Sequence, residues 1–89
     1  MLGKKEQKII KECAAKYRVS SVFLFGSSLH SKGRDIDLAV KGIAPRLFFR
    51  FYGELFKALP RPVDLVDLGG KDNYFKRSIL AEGKVIYEA

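Results

Sequence analysis

The chain has 89 residues, a length expected to form one small domain over residues 1–89 with a thin core. Its hydrophobic fraction of 47% is ordinary for a globular protein and excludes a disordered or low-complexity chain. Seventeen Lys and Arg against ten Asp and Glu give a net charge of +7, which fits an anionic partner such as a nucleotide, RNA or an acidic protein, or simply a lysine-rich solvated surface. The longest nearly apolar run, Leu47 to Phe56, is broken by Arg50 and Glu54 and falls well short of the roughly 20 residues of a membrane span. No apolar run follows Lys4, Lys5 and Glu6, so the N-terminus does not read as a signal peptide, and the expected setting is cytoplasmic. A single cysteine, Cys13, excludes an internal disulfide framework and a cysteine-based zinc site.

In chain order, Leu2 to Arg18 reads as a helix, because Ile9, Ile10, Cys13, Ala14 and Tyr17 recur at helical spacing. Val22 to Phe25 is apolar on both faces, the mark of a central strand covered on each side. Gly26-Ser27-Ser28 breaks it, and Leu29 to Arg34 is a polar connection. Asp35 to Val40 alternates strictly, with Ile36, Leu38 and Val40 on one face and Asp35, Asp37 and Ala39 on the other. Pro45 suits the first turn of a helix running to about Leu59. Pro60-Arg61-Pro62 stops that helix and starts a third strand, Val63 to Leu68. After Gly69-Gly70, Asp72 or Asn73 can cap a helix through Tyr74, Phe75, Ile79 and Leu80. Gly83 closes it before a last strand, Lys84 to Tyr87. The order α-β-β-α-β-α-β predicts a small α/β (α+β) fold, a mixed sheet of about four strands with helices packed on it.

The chemistry concentrates in the aspartates. Asp35 and Asp37 stand two apart on a predicted strand, so their side chains share a face. Aspartate is disfavoured in strands, and two like charges so close call for a cation. One divalent ion, or two about 3.5–4 Å apart, would meet that need, and Mg²⁺ takes such oxygen ligands. Pairing with nearby Lys or Arg is the alternative. Asp64, on the apolar third strand, supplies a third carboxylate where an unpartnered charge is costly. Asp67 is three residues on and faces the other side, and parity alone leaves open which of the two joins the cluster. Gly26-Ser27 adds a phosphate-binding element: a glycine that lets backbone approach closely, then a hydroxyl and an N–H where a helix can begin.

Together, Phe25-Gly26-Ser27, Asp35-Ile36-Asp37-Leu38-Ala39-Val40 and Val63-Asp64-Leu65-Val66 resemble the signature of the DNA polymerase β-type nucleotidyltransferase superfamily. The short length and the ending Ile79-Leu80-Ala81-Glu82-Gly83-Lys84-Val85-Ile86-Tyr87-Glu88 resemble its minimal nucleotidyltransferase branch. The resemblance implies that Gly26 and Ser27 hold the triphosphate of ATP or another nucleoside triphosphate. It implies that Asp35, Asp37 and Asp64 bind Mg²⁺ or Mn²⁺, with Asp64 activating the attacking hydroxyl. It also implies an antitoxin paired with a helical HEPN-type toxin, some members of the branch transferring AMP to a tyrosine of that toxin. Neutralisation by binding alone and RNA binding are the rival functions. Two departures stand out. The spacer between Gly-Ser and Asp-x-Asp is short, and Ser28 occupies the place after the serine where the family commonly has arginine. Lys32 or Arg34 is a candidate for the missing charge.

Of the remaining residues, His30 reads as a solvated loop histidine and Cys13 as core. Lys76 and Arg77 either face a phosphate or lie on a solvated helix surface. On the second helix the apolar residues cover roughly 200° at 100° per residue, more than a core stripe requires. The excess lies at Phe49 and Phe56. It is either covered by a neighbouring segment or is a surface for a partner or a second copy.

Overall fold

In the computed structural model, residues 2–30 and 34–89 are described. Three helices, α1 (Lys4–Lys16), α2 (Phe48–Ala58) and α3 (Tyr74–Glu82), pack on a sheet of β1 (Ser21–Leu24), β2 (Ile36–Lys41), β3 (Val63–Asp67) and β4 (Lys84–Glu88). The strands lie in the order β3-β2-β1-β4. Strand β1 runs antiparallel to both β2 and β4, and β2 runs parallel to β3. The sheet is mixed, as the element order predicts.

The sheet divides the core. Val22, Leu24, Ile36, Leu38 and Val40 point to one face, against Ile10, Cys13 and Ala14 of α1 and Phe51 and Leu55 of α2. Phe23 and Ala39 point to the other face, against Ile79 of α3. All four residues of β1 are buried, which accounts for a strand apolar on both sides. The second face carries a much smaller apolar cluster, and burial of Ile79 contributes about 1.5–3 kcal/mol to holding α3 there. Asp37 and Asp64 share this thinly covered face.

Element ends depart from the sequence reading for local reasons. Gly3 caps α1, its N–H donating to the Glu6 carboxylate at 2.8 Å, and the helix stops before Arg18, whose φ is 56°. A 3-10 turn, Pro45–Leu47, precedes α2. Asn73 caps α3, its side chain accepting from the Lys76 N–H at 2.8 Å. Gly42 links β2 to the next segment at φ +77°, where a Cβ would collide with Ser20. No helix among the described residues is long and apolar enough to cross a membrane.

Candidate functional site

Antiparallel pairing of Leu24 with Leu38 brings the end of β1 beside the start of β2. The chain leaves β1 through Phe25, whose N–H donates to the Asp37 carbonyl at 3.1 Å. It then tightens into a 3-10 turn, Gly26–Leu29. Gly26 sits at φ +65°, a conformation that favours glycine, and a Cβ there would lie 3.1 Å from Asp37 Oδ2. The missing side chain is therefore what lets the turn close on the carboxylate.

Two hydroxyls of this turn converge on Asp37. Ser27 Oγ donates to Asp37 Oδ2 at 3.4 Å, and Ser28 Oγ lies 3.1 Å from the same oxygen. The Asp37 N–H donates to Ser28 Oγ at 3.0 Å, and Ser28 Oγ reaches the Asp35 carbonyl at 3.2 Å. Gly26 and Ser27 are exposed, whereas Ser28 is only 3% exposed. In the sequence Ser28 stands out only as a departure from the family pattern. A serine directly before an apolar residue and seven before an aspartate gives no sign of burial, so its role was invisible there.

Register separates the two third-strand acids by face. Asp64 is the direct partner of Asp37, so the two share a face. Asp67, at the far end of β3, accepts from the Gly69 N–H at 2.8 Å and serves the following turn. Asp35 departs from expectation. It precedes β2, which begins at Ile36, and it is exposed, so strand parity does not fix where it points. Among the described residues, no three His, Cys, Asp or Glu side chains come close enough to hold a metal ion as a group. The expected triad is thus a registered pair, Asp37 and Asp64, with Asp35 beside it on a bend. An all-oxygen donor set of this kind suits Mg²⁺, which normally completes its shell with waters and substrate phosphates.

Other candidates sort themselves by contact. Lys76 Nζ donates to the carbonyls of Gly69 and Lys71 at 2.6 and 2.8 Å, which ties down the β3–α3 loop rather than leaving the ammonium for a phosphate. Arg77 stands 3.6 Å from Asp72. His30 is exposed, as a loop histidine should be, and Arg34 is exposed near the start of β2. Lys32 lies outside the described residues. A cavity of about 220 Å³ lies between the Gly26 turn and α3, walled by Phe25, Leu29, Phe75 and Ile79. Phe49 and Phe56 of α2 are 80% and 55% exposed, so no described segment covers the excess apolar arc.

Comparison with known proteins meets this geometry. A search of curated proteins found no match. Among solved structures, a point mutant of the toxin–antitoxin complex MntA–HpeT is similar, with 26% identity and a TM-score of 0.75 over 100% of this chain and 75% of that one. A toxin–antitoxin structure with AMP-PNP shares the fold at 23% identity and a TM-score of 0.73, covering 93% of this chain and 73% of that one. So does the tri-AMPylated Shewanella oneidensis HEPN toxin in complex with MNT antitoxin, at 24% identity and a TM-score of 0.63, again over 93% and 73%. The family described as polymerase beta, nucleotidyltransferase matches residues 7–89, which include the Gly26 turn and both registered aspartates. With the fold, the turn and the family match in agreement, the chain belongs to the polymerase β-type nucleotidyltransferases.

Proposed function

We propose that this protein transfers AMP from ATP to a hydroxyl, in the presence of Mg²⁺ or Mn²⁺, and that the acceptor is a tyrosine of a helical HEPN-type toxin it neutralises in the cytoplasm. The observation that carries the reading is the placement of Asp37 beside Asp64 in register, directly behind a glycine–serine turn. The likeness to a MntA–HpeT complex above 25% identity supports the partner class.

Asp37 and Asp64, with Asp35 near them, would hold the metal, whose charge offsets the negative charge on the transferring phosphoryl group. Gly26 and Ser27, exposed at the turn, would receive the triphosphate with backbone N–H and hydroxyl donors. Asp64 would take the proton of the attacking phenol, whose ordinary pKa near 10 makes a base useful. The phenolic oxygen bonds to the α-phosphorus, the bond to the β-phosphate oxygen breaks, and pyrophosphate leaves. Most of the rate would come from holding both reactants in line.

A second reading has its own observation. The exposed Asp35, with no ready three-acid group among the described residues, favours an antitoxin that works by binding, with little transfer. Intact-mass measurement separates the two. Toxin incubated with this protein, ATP and Mg²⁺ should gain AMP, and Asp64→Asn should abolish the gain while the complex still forms. Equal neutralisation by Asp35, Asp37 and Asp64 variants with no mass gain would leave binding alone as the mechanism.

A further inference from the structure

We infer that Ser28 is the positioning residue for Asp37, a serine clamp standing where the family commonly carries an arginine. The inference rests on the reading of Asp37 as a metal ligand. Ser28 is buried, and its hydroxyl engages residues 35 to 37 at three points. It accepts from the Asp37 N–H at 3.0 Å, and its proton is shared between the Asp35 carbonyl at 3.2 Å and Asp37 Oδ2 at 3.1 Å. Ser27 reaches that same Oδ2, and Gly26 presents it with bare backbone. Every hydrogen bond to the Asp37 carboxylate from the described residues ends on Oδ2, so Oδ1 accepts none of them. A carboxylate held by one oxygen keeps its rotamer fixed and offers the other as a ligand, which is how outer partners tune metal-binding acids.

The clamp also acts on the backbone. Asp35 lies outside β2, and the hydroxyl of Ser28 ties its carbonyl to the 3-10 turn that follows β1. One side chain therefore sets the rotamer of Asp37 and the path of the chain through Asp35. In this protein the place is used to orient an acid.

The test is Mn²⁺ titration followed by electron paramagnetic resonance, with a non-hydrolysable ATP analogue present, on wild type, Ser28→Ala, Ser28→Thr and Asp37→Asn. Thermal unfolding of each runs alongside. Ser28→Ala should weaken Mn²⁺ binding by about 10-fold or more, the usual effect of losing an outer partner, in protein that is still folded. Ser28→Thr, which keeps the hydroxyl, should recover most of the loss. In the transfer assay Ser28→Ala should lower kcat more than it raises KM for ATP. A Ser28→Ala protein that unfolds earlier yet binds Mn²⁺ as wild type does would overturn the inference, provided Asp37→Asn loses the ion. If Asp37→Asn also binds normally, the metal role of Asp37 itself is wrong and the inference goes with it. Should Ser28→Ala fail to fold, Ser28→Cys keeps the volume with a weaker donor, and it must show the same loss.

Discussion

Asp37 and Asp64 stand opposite each other in the parallel register of β2 and β3, two carboxylates on one face of neighbouring strands. Adjacent strands lie about 4.8 Å apart, so no backbone or side chain separates the two charges. A fold does not place like charges directly across a ladder for stability, because such pairs destabilise the sheet. The arrangement makes sense when a cation or a developing charge is to be met between them.

Stability should therefore rise when the pair is broken. Asp64→Asn removes one charge and keeps the shape, and at roughly 0.2–1 kcal/mol for a cross-strand pair the gain is modest. For a domain of this size that corresponds to about 1–8 °C in the thermal midpoint. Calorimetry in a metal-chelating buffer reads the change. Added Mn²⁺ and nucleotide should then raise the midpoint of wild type and leave the variant where it was.

The turn at Gly26 should tolerate nothing larger than glycine. Alanine would carry an unfavourable positive φ, costing about 1–3 kcal/mol, and its Cβ would press on Asp37 Oδ2. Gly26→Ala should lower the unfolding free energy by that amount and reduce transfer beyond what the stability loss explains. Urea titration paired with the mass assay checks both.

Much of this was legible in the sequence, and the boundary falls where physics is local. Strand β1 announces itself as a short run apolar on both faces, β2 through side-chain alternation, and Asn73 through its capping chemistry, because each depends on near neighbours. The pairing of Asp37 with Asp64 depends on register between strands separated by a whole helix, which one chain's periodicity does not contain. The same distance problem hid the tie between Glu6 and Arg61, 55 positions apart. The start of β2 differs by one residue for another reason: alternation in the sequence includes Asp35, while the strand begins at Ile36.

Glu6 and Arg61 make the next expectation. Arg61 Nε and Nη2 donate to the two Glu6 oxygens at 2.9 and 2.8 Å, with both side chains largely buried. Glu6 also caps α1 through the Gly3 N–H. Removing one member of a buried pair leaves the other uncompensated, at about 3–5 kcal/mol. Glu6→Ala should therefore unfold at a much lower urea concentration. A loss below about 1 kcal/mol would show that the pair behaves as a surface bridge.

Cys13 gives a pH dependence with a definite sign. Burial first, then the Glu54 carboxylate that accepts its S–H at 3.5 Å, push the thiol up from 9.0 to about 11. The folded state prefers the neutral thiol, so this contribution is complete below pH 9.0 and is lost as pH climbs towards 11. At pH 8 the thiolate should be roughly 100-fold scarcer than in an ordinary thiol. An aromatic disulfide reagent should accordingly label native protein far more slowly than urea-unfolded protein, and equal rates would refute the shift.

The last expectation concerns the partner, and it rests on α2. Phe49 is 80% exposed and Phe56 is 55% exposed, while Phe51 and Leu55 of the same helix are fully buried. Phe49 stacks edge-on against Phe48, with the centroids 5.3 Å apart. An aromatic ring raised above a helix is the kind of anchor that a protein interface buries, and such anchors carry 2 kcal/mol or more when truncated. Phe49→Asp should leave the thermal midpoint nearly unchanged, since exposed positions shift stability by about 0.5 kcal/mol or less. It should weaken association with the toxin at least about 30-fold, which is what 2 kcal/mol amounts to. Because the ring lies on the helix that packs against the face of the sheet opposite the aspartates, the intrinsic handling of ATP should be untouched. Calorimetric titration of toxin into wild type and Phe49→Asp measures the first effect, and nucleotide-dependent stabilisation measures the second. Sedimentation of the protein alone decides whether the same face joins two copies: a wild-type dimer that Phe49→Asp converts to monomer would assign the ring to self-association instead of the toxin.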